Sequence, residues 1–364
     1  MIIQDVIDYL EELAPLHYAE DFDNVGLLVG NKNEKLKGIL VTLDTLETVI
    51  DEAIENNCNL IVSFHPILFK GLKKITGTNY VEKTILKAIQ NNIAIYAIHT
   101  ALDNVPEGVN NSICEALKLQ NRQLLLPKNN TLKKLTTYVP TQEAESLRNA
   151  LFLAGAGHIG NYSHCSFNVN GTGTFMGNEI SNPTKGEKNK MHFENETKIT
   201  VIFEAHKEAS VLQSLFKNHS YEEVAYEIIT LNNKNQTKGM GMIGEFNKAL
   251  NEKTFLTTLK KVFGTPVIKH SSLLNKPIKK IAVLGGSGSF AIQQAICAGA
   301  DAFVTSDLKY HDYFSAENNI LLVDIGHYES EQFTKNLLVS YLSKKITNFA
   351  VVLSKTITNP VKYF

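Results

Sequence analysis

Imidazole and carboxylate side chains recur in this sequence at one kind of place, directly after an apolar run. "NLIVSF" ends in His65-Pro66, "IAIYAI" in His99 with Asp103 four residues on, and "ILLVDIG" in His327 with Glu331 four residues on. "FVTSD" delivers Asp307, followed by His311 and Asp312, and "IAVL" runs into Gly285, Gly286 and Gly288. Neutral imidazole nitrogen with anionic oxygen is the ligand set of zinc, iron(II) and manganese. Residues i and i+4 share a helix face, so a helix starting at His327 would present Glu331 beside it. A lone His-x-x-x-Glu pair is ordinarily a surface contact, and a lone His-Pro a turn. Three such ends, with His65 and His327 about 260 residues apart, point instead to distant segments sharing one cation. His311 and Asp312 are weaker candidates to line the same space. The "GGSGS" stretch has two open readings, an anion cradle at a helix N-terminus or a plain tight turn, since it lacks a phosphate-loop lysine.

Strands must deliver these groups, and the chain has the pattern for it. In the first 125 residues, apolar "LKGILVTLD", "CNLIVSFHP" and "IAIYAIH" alternate with helix-like "LETVIDEAIENN" and "VEKTILKAIQNN". That alternation predicts an α/β layered sheet with parallel pairing, whose ligands collect at the carboxyl ends of the strands. From about residue 275 the pattern returns with "IKKIAVLGG", "DAFVTSD", "NILLVDIG" and "NFAVVLS", predicted to complete the same sheet. Between the halves the order is β-α-β-β-α-β, the ferredoxin-like split unit, bracketed by polar "LPKNNTLKK" and "LNNKNQTKG". The expected organisation is a two-half layered α/β domain, 1–126 and 236–364, with an inserted α+β ferredoxin-like domain at 127–235. Residues 178–197 read as a polar loop of the insert.

The chain's 364 residues, 43% hydrophobic and 20% charged, suit a globular protein with a real core. A formal net charge of -1 gives no strong nucleic-acid signal. No apolar run approaches the ~20 residues of a membrane span. "MIIQDVIDYLEELAPL" reads as an amphipathic helix through Ile3, Val6, Ile7 and Leu10 rather than a secretion signal. Four dispersed cysteines, with Cys114 and Cys297 in apolar company, suit buried thiols in a reducing compartment, so a cytoplasmic location is expected.

Taken in order, these motifs resemble those of the GTP cyclohydrolase I type 2 homologues, the Nif-three-like dinuclear-metal proteins. "DFDNVGLLVG", "SFHPILF", "HTALDNVPEGVN", "GGSGS", "GADAFVTSDLKYHD" and "GHYESE" follow the family's sequence of motifs nearly end to end. The insert's "ALFLAGAGHIGNYSHCSF" and "HSYEEVAYEI" are similar to the long members. The resemblance implies a homohexamer with metal pairs facing an interior cavity, and an insert akin to small signalling trimers. Its metal ligands fall on His65, Asp103, His327 and Glu331. His99 would line the site or orient a ligand, and His99 or His311 would move protons. The expected cofactor is a divalent metal, one or two ions per chain, because Phe64 stands where the family pairs histidines. The implied activity is metal-dependent hydrolysis of a small molecule, with GTP cyclohydrolase as the family's label. Phosphoester or nucleotide hydrolysis, and a non-catalytic regulatory scaffold, are the alternatives.

Overall fold

Continuous apolar runs become strands buried on both faces, the signature of parallel sheet interiors. The computed structural model describes residues 1–364, the side chain of Gln236 excepted. The chain forms two units, Met1–Leu126 with Lys238–Phe364, and Pro127–Thr237. The first five strands are β1 (Gly26–Val29), β2 (Ile39–Thr42), β3 (Leu60–Ser63), β4 (Ala94–Ala97) and β5 (Gln120–Lys128). The second unit holds β6 (Leu132–Pro140), β7 (Ser166–Phe175), β8 (His192–Glu204) and β9 (Tyr226–Leu231). There follow β10 (Asn235–Leu250), β11 (Lys269–His270), β12 (Ile278–Ser287), β13 (Ala302–Ser306), β14 (Leu321–Asp324) and β15 (Val351–Leu353).

In the first unit the strands form two sheets, ordered β1-β4-β3-β2-β15 and β11-β14-β13-β12-β10-β5. The expectation of one continuous sheet is therefore corrected. Strands β12 to β14 build their own sheet, and β15 alone of the late strands returns, pairing in parallel with β2. Layering explains the division. Leu40, Ile61 and Ile95 point to Val49, Ile50, Ile85 and Ala88 on the helices Glu47–Glu55 and Tyr80–Gln90. The alternate residues Ile39, Val41, Leu60 and Val62 enter a core shared with Ile281, Val283, Val304 and Val323 of the other sheet. Helix Ile3–Leu13 adds Ile3, Val6, Ile7 and Leu10 to that core. Two stacked sheets bury both inner faces against each other, leaving each outer face for helices.

Register then sets the chemistry side by side. Thr42 pairs with Ser63, and Ser63 with Ala97. The chain therefore leaves three neighbouring strands in step, at Leu43-Asp44, Phe64-His65 and Ile98-His99. In the other sheet Thr305 pairs with Asp324, so Asp307 and His327 leave adjacent strands.

The second unit is an antiparallel sheet ordered β7-β8-β6-β9. Its third strand lies between its first two, the split arrangement. Helices Ala144–Leu153 and Glu208–Asn218 cover one face, burying Leu147, Leu151, Val211 and Leu215 on Leu135, Ile199 and Val201. β8 begins at His192, paired with Phe175. The polar stretch expected as a loop to residue 197 is thus partly strand, since ladder hydrogen bonds tolerate polar side chains on open faces. Among the described residues no helix is long and apolar enough to cross a membrane. Cys114 is buried, whereas Cys297 is exposed at the end of the helix Ile292–Cys297, against the expectation of two buried thiols.

Candidate metal centre

His65, His327 and Glu331 converge, with one ligand atom from each lying within 4.8 Å of the others. Glu331 Oε2 stands 3.1 Å from His65 Nε2 and 3.2 Å from His327 Nε2. Helix His327–Glu331 starts where β14 ends, and its first turn puts the i and i+4 side chains together. Gly326 permits that exit: its φ is +94°, and a Cβ there would run into Glu329 Oε2.

Each imidazole is gripped from behind by a carboxylate on Nδ1. Asp44 lies 2.8 Å from His65, Asp23 2.8 Å from His99, and Asp307 2.6 Å from His327. Such a partner fixes ring orientation and tautomer and makes the other nitrogen a better donor. Asp44 is itself braced by Thr358, whose Oγ1 donates to Oδ2 at 2.5 Å. Asp23 also accepts from the Thr100 backbone at 3.1 Å and its hydroxyl at 2.5 Å. Asp23, in the "DFDNVG" stretch, is His99's partner across 76 residues.

The charges respond to one another. Burial disfavours a charged His65, yet Asp44 and Glu331 push its pKa up to about 9. Burial likewise opposes charge on His327, and Asp307 and Glu331 push it up to about 11. Burial works against ionised Glu331, but the two histidines hold it down at about 2. Asp103, half-buried on the helix His99–Asp103 with its Oδ1 shut away from solvent, is raised well above the ordinary carboxylate range by that desolvation and then by Glu331.

A divalent cation fits these residues. Among the described residues, Glu331 Oε2 is buried without an aligned hydrogen bond despite its two close nitrogens, and Asp103 Oδ1 is buried without a partner. An unsatisfied buried polar atom costs about 1–3 kcal/mol, more when charged. Two imidazole nitrogens and a carboxylate oxygen around one point form a usual site for such an ion. Asp103 lies outside the trio of converging ligands but lines the same 400 Å³ cavity, as does His99.

Other candidates fall elsewhere. His311 is exposed on the turn Tyr310–Ala316, its ring 5.2 Å from that of Tyr310, and Asp312 bonds the Lys309 backbone in the same turn. The Gly285 and Gly286 N–H groups donate to Asn110 Oδ1 and Ser330 Oγ, so they are not free to cradle an anion. Their glycines serve close approach instead: Gly286 has φ +72°, and a Cβ there would collide with Glu331 Oε1. Phe64 is wholly buried beneath the site, its ring 4.9 Å from that of His65 and 5.4 Å from that of His99.

Fold and centre together define a two-sheet α/β protein with a histidine–carboxylate site at facing strand ends. Residues 1–360 match the model of the family described as Duf34/NIF3 (NGG1p interacting factor 3). A Bacillus subtilis (strain 168) protein named GTP cyclohydrolase 1 type 2 homolog is 36% identical, over 99% of this chain and 98% of its own. A protein of that name from Halalkalibacterium halodurans is 37% identical, again over 99% and 98%. The crystal structure of a Bacillus cereus protein related to NIF3 superposes with a TM-score of 0.84 at 36% identity, covering 100% of this chain and 99% of that one. The chain belongs to the Duf34/NIF3 family.

Proposed function

We propose that the chain is a divalent-metal-dependent hydrolase of a small molecule of the nucleotide class, the direction in which its relatives' name also points. One observation carries the reading: the buried oxygen Glu331 Oε2 faces two imidazole nitrogens and is hydrogen-bonded by neither. Bound there, zinc, iron(II) or manganese would bring the pKa of a water from about 15.7 towards 7 and polarise the atom under attack. His65, His327 and Glu331 hold the ion, and Asp103 offers a further oxygen. Asp44 and Asp307 keep the two Nε2 atoms turned inward. His99, fixed through Nδ1 by Asp23 and with its ring 5.2 Å from that of His65, is the group placed to relay a proton during turnover. His311, exposed beside Tyr310, is the poorer candidate for that role.

The centre is asymmetric in this proposal, because phenylalanine has no lone pair and Phe64 withholds one nitrogen. Metal analysis of protein purified without added metal should find about one tightly held ion per chain. Two would defeat the asymmetry, and none would defeat the site. A Phe64→His variant should raise the count. Turnover is tested with GTP and each metal, looking for formate and a fluorescent pterin-type product. Phosphate release from a nucleotide panel would move the attack to phosphorus. Silence throughout would leave a binding role alone. A cytoplasmic homohexamer belongs to the same proposal, on the family resemblance.

A further inference from the structure

Phe22, Phe69 and Phe290 line the same cavity as His65, His327 and Glu331, and they are 66%, 47% and 62% exposed. One exposed phenylalanine is ordinary. Three, from three separate loops around one polar cluster, make an apolar rim of the kind that marks a ligand site.

The rim is held in place. Asn24 Nδ2 donates to the Leu68 carbonyl at 2.5 Å, tying the turn that carries Phe22 to the loop that carries Phe69. The two rings lie 6.3 Å apart at 41°. Phe69 in turn meets His99 edge-on at 6.3 Å and 70°. Phe290 sits on the single turn Ser289–Ala291 after β12, closed by the Ala291 N–H on the Gly288 carbonyl at 2.9 Å.

Charge narrows the ligand. Among the described residues no lysine or arginine lines this cavity. A neighbouring 370 Å³ cavity shares His65 and His327, but its one lysine, Lys269, is paired with Asp324 at 2.7 Å among the acids Asp44, Asp307 and Glu329. Apart from an ion on the metal centre itself, no lysine or arginine there is arranged to grip a phosphate chain, whereas every nucleobase offers a flat face to an aromatic ring.

We propose that Phe22, Phe69 and Phe290 form a stacking jaw that recognises an uncharged planar heteroaromatic ring, a base or nucleoside, and seats it beside the metal centre. Recognition runs through the ring rather than through phosphate. The inference deepens the hydrolase reading and names the substrate class of that same site.

Calorimetric titration of the full-length, zinc-loaded chain with guanosine, and separately with ribose 5-phosphate, tests it. Guanosine should bind and ribose 5-phosphate should not. Phe22→Ala and Phe290→Ala should each weaken guanosine binding about 5- to 150-fold, with zinc content unchanged, and Phe22→Tyr should restore most of the loss. Ribose 5-phosphate binding as well as guanosine, or alanine variants binding like wild type, would overturn the jaw. So would alanine variants that change the mass of the assembly in light scattering while guanosine affinity stays put, since the rim would then be a contact between copies. A wild-type chain that binds no zinc sinks the hydrolase reading, and the guanosine titration still decides the jaw.

Discussion

If the proposed centre holds an ion, Asp44 and Asp307 would act on its affinity without touching it, because each sets the direction of one imidazole from 2.8 and 2.6 Å behind it. Asp44→Asn is expected to weaken metal binding about 10- to 100-fold, and Glu331→Gln to weaken it further, both read by competition with a chromogenic chelator. Equal affinities for Glu331→Gln and wild type would remove Glu331 from the ligand set. The proton balance gives a second test. His65 at about 9 and His327 at about 11 lie above the ordinary value of about 6.5. Their stabilisation is complete below pH about 6.5 and is lost as pH rises through 9 towards 11. Asp103, also raised, acts in the same sense. Chelator-stripped protein should therefore melt at a lower temperature at pH 9.5 than at pH 6.5. Added zinc should close that gap, since the ion replaces the protons and binds more tightly as pH rises. A melting temperature independent of pH in the stripped protein would contradict this balance.

Strand ends carry the same lesson at a larger size. Gly326→Ala puts a side chain at φ +94° against Glu329, a strain of about 1–3 kcal/mol, expected as a lower urea midpoint together with weaker metal binding. An unchanged midpoint would show that the exit from β14 relaxes freely. The groups that cap the parallel strands were readable in the sequence because each follows a run buried on both faces, as at Leu60–Ser63 and Leu321–Asp324. Which runs share a sheet was not readable, since pairing between strands hundreds of residues apart leaves no local mark. β10 escaped for a different reason. Its "GMGMIG" lacks the β-branched run of a strand, and Gly241 is there because a Cβ would crowd the Val283 carbonyl and Leu125. Asp23's role was not legible either, because its bond to His99 spans 76 residues.

The whole molecule offers its own test. In the second unit Phe167 and Val169 are 72% and 47% exposed on the β7 face turned away from the helices. Apolar side chains on such a face suit contact between identical subunits. If the chain is a homohexamer, Phe167→Asp should lower the mass measured by light scattering, and an unchanged mass would put the contact elsewhere. The wide spacing of the ligands along the chain has a further consequence during synthesis. His65 leaves the ribosome long before His327 and Glu331 exist, and Thr358, which braces Asp44, comes later still. If the proposed centre takes up an ion, a growing chain would therefore offer only half of the chelate, and loading would wait until translation is nearly finished.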